Sequence, residues 1–156
     1  MNLNSFKLIF FKNVSGNLKF IEKMNNNIQE TVQDFLQHLS ERNLTELTNL
    51  FSDTVDWYIP GDEEKAPWLG VRSNKQEVSD FFELLWKNTE PIFAKIDHIF
   101  TDHENAVITG EFATKMLTTG NITESLFCIQ MRIQDHKIIR YRLLEDSLAV
   151  SKALDK

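Results

Sequence analysis

Apolar residues along the chain change their period once, near Pro91, and the change separates a helical half from a strand half. Ile28, Val32, Phe35, Leu36 and Leu39 recur at three- and four-residue intervals, while Gln29, Gln33, Asp34 and Gln37 fall on the opposite face. Asn27 and Glu30 have the spacing of a reciprocal helix cap, so the pattern predicts a helix starting at residue 27 and ending at Glu41-Arg42-Asn43. Thr45 opens a shorter helix with Leu47, Leu50 and Phe51 as its apolar contacts. Val55-Asp56-Trp57-Tyr58-Ile59 reads as a short strand stopped by Pro60-Gly61, and residues 62–70 as an irregular loop. Ser73 and Gln76 form a second capping pair ahead of a helix whose buried stripe is Val78, Phe81, Phe82 and Leu85.

After Pro91 the period becomes two. Ile92, Ala94, Ile96, His98 and Phe100 alternate with Phe93, Lys95, Asp97 and Ile99, and residues 106–116 alternate again after a polar turn. Segments 122–133 and 138–144 then flank Gln134-Asp135-His136-Lys137, the signature of an antiparallel hairpin. Leu148, Val150 and Leu154 give the tail one apolar side. Helix, helix, strand, loop, helix and four longer strands define an α+β layer architecture. A curved antiparallel sheet wrapped around helices is expected, with an interior wide enough at its mouth for a ligand pocket.

Composition narrows the picture. A 156-residue chain with 42% hydrophobic and 11% aromatic residues builds one domain with a substantial core. Twelve phenylalanines favour large core side chains or an aromatic-lined cavity. The net charge of −6 is spread along the chain, which argues against nucleic acid as a partner. A single cysteine, Cys128, excludes an intrachain disulfide and a thiolate-rich metal site, and its strand setting reads as a buried structural thiol.

The first 25 residues stand apart as an N-terminal extension, with a single domain over 26–156. The Phe6-Lys7-Leu8-Ile9-Phe10-Phe11 burst is broken by Lys7 and Lys12 and is too short to span a bilayer. A loosely attached segment, an edge strand and a dimer arm are all open readings of it. Met24 would also make a natural start just before the first helix. The expected setting is cytoplasmic, with no membrane partner.

Motif searches for nucleotide loops, nucleophile elbows and paired metal histidines find nothing. The four histidines are scattered, so a metal site built on them is not expected. Two carboxylate clusters remain. Arg140, Arg142, Leu144 and Asp146 share one strand parity, while Ile139, Tyr141, Leu143 and Glu145 share the other. An arginine–aspartate face directed into a pocket would make Asp146 an acid or base, and directed outward it would be an ion-pair ladder. Glu111, between Gly110 and Phe112, is its candidate partner across the sheet. Gln130 and Arg132 are supporting or dimer-face residues. Asp56 and Tyr58 share a face of the first strand and pair a carboxylate with a phenol, a set able to move a proton beside a carbonyl.

Three stretches carry a family resemblance: ETVQDFLQHLSERNLTELTNLFSDTVDWYIPG (30–61), PWLGVRS with the following helix (67–86), and IQDHKIIRYRLLEDS (133–147). In this order and spacing, over about residues 28 to 150, the chain resembles the SnoaL-like branch of the nuclear-transport-factor-2-like superfamily. That superfamily also holds ketosteroid isomerases and limonene-epoxide hydrolases. The resemblance implies a cone-shaped α+β barrel, a deep apolar pocket, a homodimer packed through the sheet and chemistry by pocket carboxylates without a cofactor. It places Asp146 where the polyketide cyclases carry their acid/base. Asp56 falls in the family's Asp-x-Trp-x-x-Pro-Gly wall. Glu111-Phe112-Ala113 stands where epoxide hydrolases have Arg-x-Asp, so that triad is lost, and the first helix lacks the isomerases' tyrosine.

Two functions follow as expectations. One is a cofactor-independent isomerase, cyclase or hydrolase acting on a small apolar carbonyl-type substrate. In it Asp146 is the acid/base, Glu111 or Asp56 the electrostatic partner, and Arg142 or Tyr58 the oxyanion stabiliser; at least two of these must converge on a cavity. The other is a non-catalytic ligand-binding or dimerisation module, with the carboxylates tied up in ion pairs and the cavity filled by phenylalanines.

Overall fold

The computed structural model describes residues 15–155, with side chains from residue 27 onward. The expectations for residues 1–14, whether extension, edge strand or dimer arm, lie outside the described residues. Helix α1 runs Ser15–Glu41, so it does not start at Asn27 as the capping pair predicted. No glycine or proline follows Gly16 before Asn27, and an interior asparagine costs a helix only about 0.7 kcal/mol. The Asn27 carbonyl accepts the Thr31 hydroxyl at 2.9 Å, as a helix-interior residue does. Helix α2 (Leu44–Asn49) is capped by Asn43, whose side chain accepts the Glu46 N–H. Phe51, expected to belong to this helix, is instead the first residue of strand β1 (Phe51–Ile59) and is fully buried.

A short strand that the alternation missed, β2 (Gly70–Asn74), follows the loop and pairs antiparallel with β1. Gly70 has φ +91, a conformation that side chains with a Cβ rarely adopt. Helix α3 (Lys75–Asn88) is capped one residue later than predicted. Asn74 Oδ1 accepts the Glu77 N–H at 3.0 Å, and the Glu77 carboxylate accepts the Ser73 N–H at 2.7 Å. Gln76 turns to Asp80 instead. The four long strands are β3 (Thr89–Asp102), β4 (Asn105–Met116), β5 (Ile122–Gln134) and β6 (Lys137–Glu145), followed by a short helix α4 (Ser147–Ala153).

The strand order is β2-β1-β6-β5-β4-β3, and all pairs are antiparallel except β1–β6, which is parallel. The sheet is therefore mixed, a correction to the antiparallel expectation. About half of the chain lies between β1 and β6, so the hairpin logic that sets the other pairs does not act on them. The curved sheet wraps around the helices. Its register slips at Ile96/His98, which inserts Asp97 as an extra residue and ends the strict alternation predicted for 92–100. Gly110 lies opposite this bulge. A Cβ there would sit 2.1 Å from the Lys95 carbonyl oxygen and 2.7 Å from the Phe127 ring, so the bend requires glycine.

The core forms on the concave side. Trp57 stacks on Tyr141 with centroids 4.0 Å apart and meets the edge of Phe81 at 4.7 Å. Phe35, Phe51 and Phe82 complete the cluster, all nearly inaccessible to solvent. Trp68, from the loop ahead of β2, is buried in this core. Trp86 at the end of α3 packs against it, with the Arg42 guanidinium 5.9 Å above its ring.

Candidate functional site

Packing decides which parity of each strand faces inward. On β1, Val55, Trp57 and Ile59 are buried, so Asp56 and Tyr58 must point to the convex side. On β6, Tyr141 is buried and paired with Trp57, which puts Arg140 and Arg142 outside as well. The arginine-bearing face thus leads away from the interior, the ladder alternative of the two open readings. There Arg142 donates to the Asp56 carboxylate and carbonyl, and Arg140 Nε lies 3.4 Å from Asp56 Oδ2. Tyr58 pairs with Arg142 in the strand register. Asp56, Tyr58 and Arg142 are therefore brought together, but on the convex face and without a cavity.

The other two candidates lie elsewhere. Glu111 is also convex and bonds the Lys95 ammonium at 3.1 Å, which Asp97 shares at 3.0 Å. Asp146 has left the strand. Its side chain is exposed and accepts the Ala149 N–H at 2.9 Å, capping α4. Its own N–H is held by Ser125 Oγ at 2.8 Å. Arg132, another convex residue, grips Glu104 at 2.9 Å. Cys128 is half-buried on the same convex face, more open than a core thiol.

The carboxylate that faces inward is Glu145, which the sequence reading passed over. It follows Tyr141 and Leu143 on the concave parity of β6, just before the chain turns into α4. Strand pairing aligns one row across the concave wall: Glu145, Phe127, Gly110 and Ile96. Because Gly110 has no side chain, the Phe127 ring lies down over its backbone. Phe112 stands beside Phe127 with ring centroids 6.3 Å apart. At the far end Ile96 and Ile99 stay 39% and 44% exposed, so the wall is open to solvent along β3.

Burial alone pushes the Glu145 carboxyl up to about 7. No neighbouring charge acts on it, and it forms no ion pair or hydrogen bond to another side chain among the described residues. The nearest titratable neighbour on its face is Tyr141, whose phenol is raised first by burial and then by the charge of Glu145. Ser125, one row away, is already committed to the Leu126 carbonyl and the Asp146 N–H. The signal for Glu145 was present in the sequence. Its parity set is Ile139, Tyr141, Leu143 and Glu145, more apolar than the set with two arginines, and the more apolar set goes inside.

No group of three His, Cys, Asp or Glu side chains is placed to hold a metal ion among the described residues. Two open surface grooves, of about 360 Å³ between the start of β5 and α4 and about 430 Å³ between α2 and α3, are not lined by Asp56, Tyr58, Glu111, Arg142, Glu145 or Asp146. No helix among the described residues is long and apolar enough to cross a membrane.

Known proteins give the fold a context. An NTF2-like protein from Burkholderia xenovorans superposes with a TM-score of 0.75 at 16% identity, covering 83% of this chain and 97% of that one. One of unknown function from Burkholderia pseudomallei gives the same TM-score and identity, over 83% and 98%. TerC, co-crystallised with polyporic acid, gives 0.71 at 14% identity, over 83% and 99%. No curated protein matches the sequence. The SnoaL-like domain model matches residues 32–141, which run from the buried middle of α1 to the tyrosine under Trp57. With the wrapped mixed sheet and the helices on its concave side, whose fold the NTF2-like structures share, that match means the chain belongs to the SnoaL-like domain family.

Proposed function

We propose that this domain is a small-molecule binding module that holds a largely apolar ligand against the concave wall, with Glu145 as its polar anchor. The supporting observation is an unpaired carboxylate at the end of an open apolar row that contains Phe127, Gly110 and Ile96. Such a wall supplies apolar area for affinity and one polar group for orientation. The convex carboxylates are engaged by arginine, lysine or a helix end, so they do not form the converging set that the carbonyl-substrate enzyme required. The test uses the uncharged fluorophore N-phenyl-1-naphthylamine with the full chain. Fluorescence enhancement, with NMR shifts at Phe112, Phe127 and Ile96, is the expected result. Phe127→Ala should weaken binding, and Asp56→Asn should not. Shifts confined to the convex face, or no enhancement, would sink this reading.

A second reading has one observation in its favour. A carboxyl near 7 is divided between its two forms at neutral pH, the condition that favours acid–base work. Glu145 would then take a proton beside a carbonyl and return it at a second carbon, an isomerisation needing no cofactor. Solvent-deuterium exchange into a test ketone, lost in Glu145→Gln, is its expected sign; equal exchange in the variant overturns it.

The convex face supports a homodimer as the functional unit. Leu126, Phe100, Phe93 and Leu144 all point outward there and are 72%, 59%, 46% and 43% exposed. A second copy of the same face would cover them, with the Asp56–Arg142 pair at the side of the contact.

A further inference from the structure

Among the described residues, the four long strands bring one carboxylate, Glu145, to the concave wall. Among the residues whose strand pairing places them on that face, β3 contributes Ala94, Ile96 and Ile99, and β4 contributes Ile108, Gly110 and Phe112. From β5 come Ser125, Phe127 and Ile129, none ionisable, and from β6 come Tyr141, Leu143 and Glu145. The buried faces of the packed helices add Val32 and Phe35 from α1, Val78, Phe81 and Phe82 from α3, and Val150 and Ala153 from α4. No lysine, arginine or histidine is on this inventory; Arg72, on the parity of Trp57, donates to the carbonyls of Pro67, Trp68, Leu69 and Val71, the half-buried His38 of α1 lies 3.9 Å from Glu41, and no cation pairs with Glu145 among the described residues.

Resting on the binding reading above, we infer that the ligand is a hydrophobic amine, bound as its ammonium cation with the charge on Glu145 and its apolar body over Phe127, Gly110 and Ile96. The chemistry of each part points the same way. A carboxylate withdrawn from water without a partner is costly, and a cation delivered to it removes that cost while making a charge-assisted hydrogen bond. Phe127 is the strand partner of Glu145, with the Phe112 ring 6.3 Å from its own, and aromatic faces attract ammonium groups. An anionic ligand is excluded by like charge. A neutral acceptor, such as a ketone, would use only the protonated acid.

Those two alternatives differ in the sign of their pH dependence. Glu145 is raised in the free protein by burial, to about 7. A cation binds the ionised form, so its affinity rises with pH, by about tenfold between about pH 6 and about pH 8. A neutral acceptor binds the protonated form, so its affinity falls over the same range. The experiment pairs 2-naphthylmethylamine, still protonated at about pH 8, with 2-naphthylmethanol, its uncharged counterpart of similar shape. Isothermal titration of the full chain should show the amine binding at least about tenfold tighter than the alcohol at the higher pH, with the rising profile only for the amine. Glu145→Gln should bring the amine down to the alcohol's affinity and flatten its profile.

Equal affinities, or an amine affinity that is flat or falls with rising pH, would overturn the inference while leaving the binding reading intact if the alcohol binds. Should neither compound bind, the binding reading fails and this inference fails with it. The comparison on the unmodified protein decides the matter even if the variant does not fold.

Discussion

At the scale of single residues, Glu145 and Asp146 differ by one position and by nearly everything physical. Glu145 faces Phe127 across the sheet and is half-buried, whereas Asp146 is exposed and caps a helix. The Glu145 carboxyl is raised from 4.5 to about 7, so folding favours its protonated form. The sign follows from proton linkage. Relative to an unburied glutamate, no penalty is present below the unfolded pKa, and stability is lost as pH rises from there through the folded pKa. The shift corresponds to roughly 3 kcal/mol lost at alkaline pH. Glu145→Gln should therefore be more stable than the parent at about pH 8, and should lose most of the decline between about pH 4.5 and about pH 7. Urea unfolding of both proteins at two pH values measures this; a parent whose stability rises over that interval contradicts the assignment. Half of this site was legible in the sequence. Glu145 stood in the apolar parity set beside Tyr141, but its lack of a cationic partner among the described residues depends on segments far away in the sequence.

Elements are where local chemistry and tertiary demand meet. Asp146 starts α4 by accepting the Ala149 N–H, so Asp146→Ala should cost about 1 kcal/mol of stability. It should leave binding of the naphthyl probe unchanged. A loss of binding without a loss of stability would return Asp146 to the site. The β5–β6 hairpin closes through Asp135 and His136 at φ 48 and 59, both left-handed, as a two-residue loop of this kind requires. His136→Gly relieves the Cβ strain there and should stabilise the fold by about 0.5–1 kcal/mol, read as a raised urea midpoint. An unchanged or lowered midpoint would mean that unfolded-state entropy outweighs the relief. The turn itself was readable as sequence, because four polar residues interrupt two apolar runs. The first residue of β1 was not. Phe51 fits the helical spacing of Leu47, and only its place among Phe35, Phe82 and Tyr141 draws it into the sheet.

For the whole molecule the question is what covers the convex face. Its exposed leucines and phenylalanines span several strands, a patch that a solitary soluble domain seldom leaves open. If two copies pair through it, sedimentation of the parent should give a dimer, and Leu126→Asp with Leu144→Asp should give a folded monomer. A parent that remains monomeric at high micromolar concentration removes the dimer. The same paired geometry predicts that Arg142→Ala weakens the dimer less than the leucine changes do. Its ion-pair partner Asp56 is 61% exposed, so solvent screens the pair and it contributes little, whereas the leucines contribute buried apolar area.

The order of elements, the α+β class and the alternation of the four long strands are set by the sequence alone. They follow from periods of 3.6 and 2, which are properties of the backbone and need only neighbouring residues to be read. The parallel β1–β6 pair, the short strand at Gly70 and the bulge at Asp97 belong to the tertiary structure, because each depends on contacts between distant segments. So does the inward face of β6. Trp57 and Tyr141 can stack only if that parity is buried, and their stacking sends Arg140 and Arg142 out and Glu145 in.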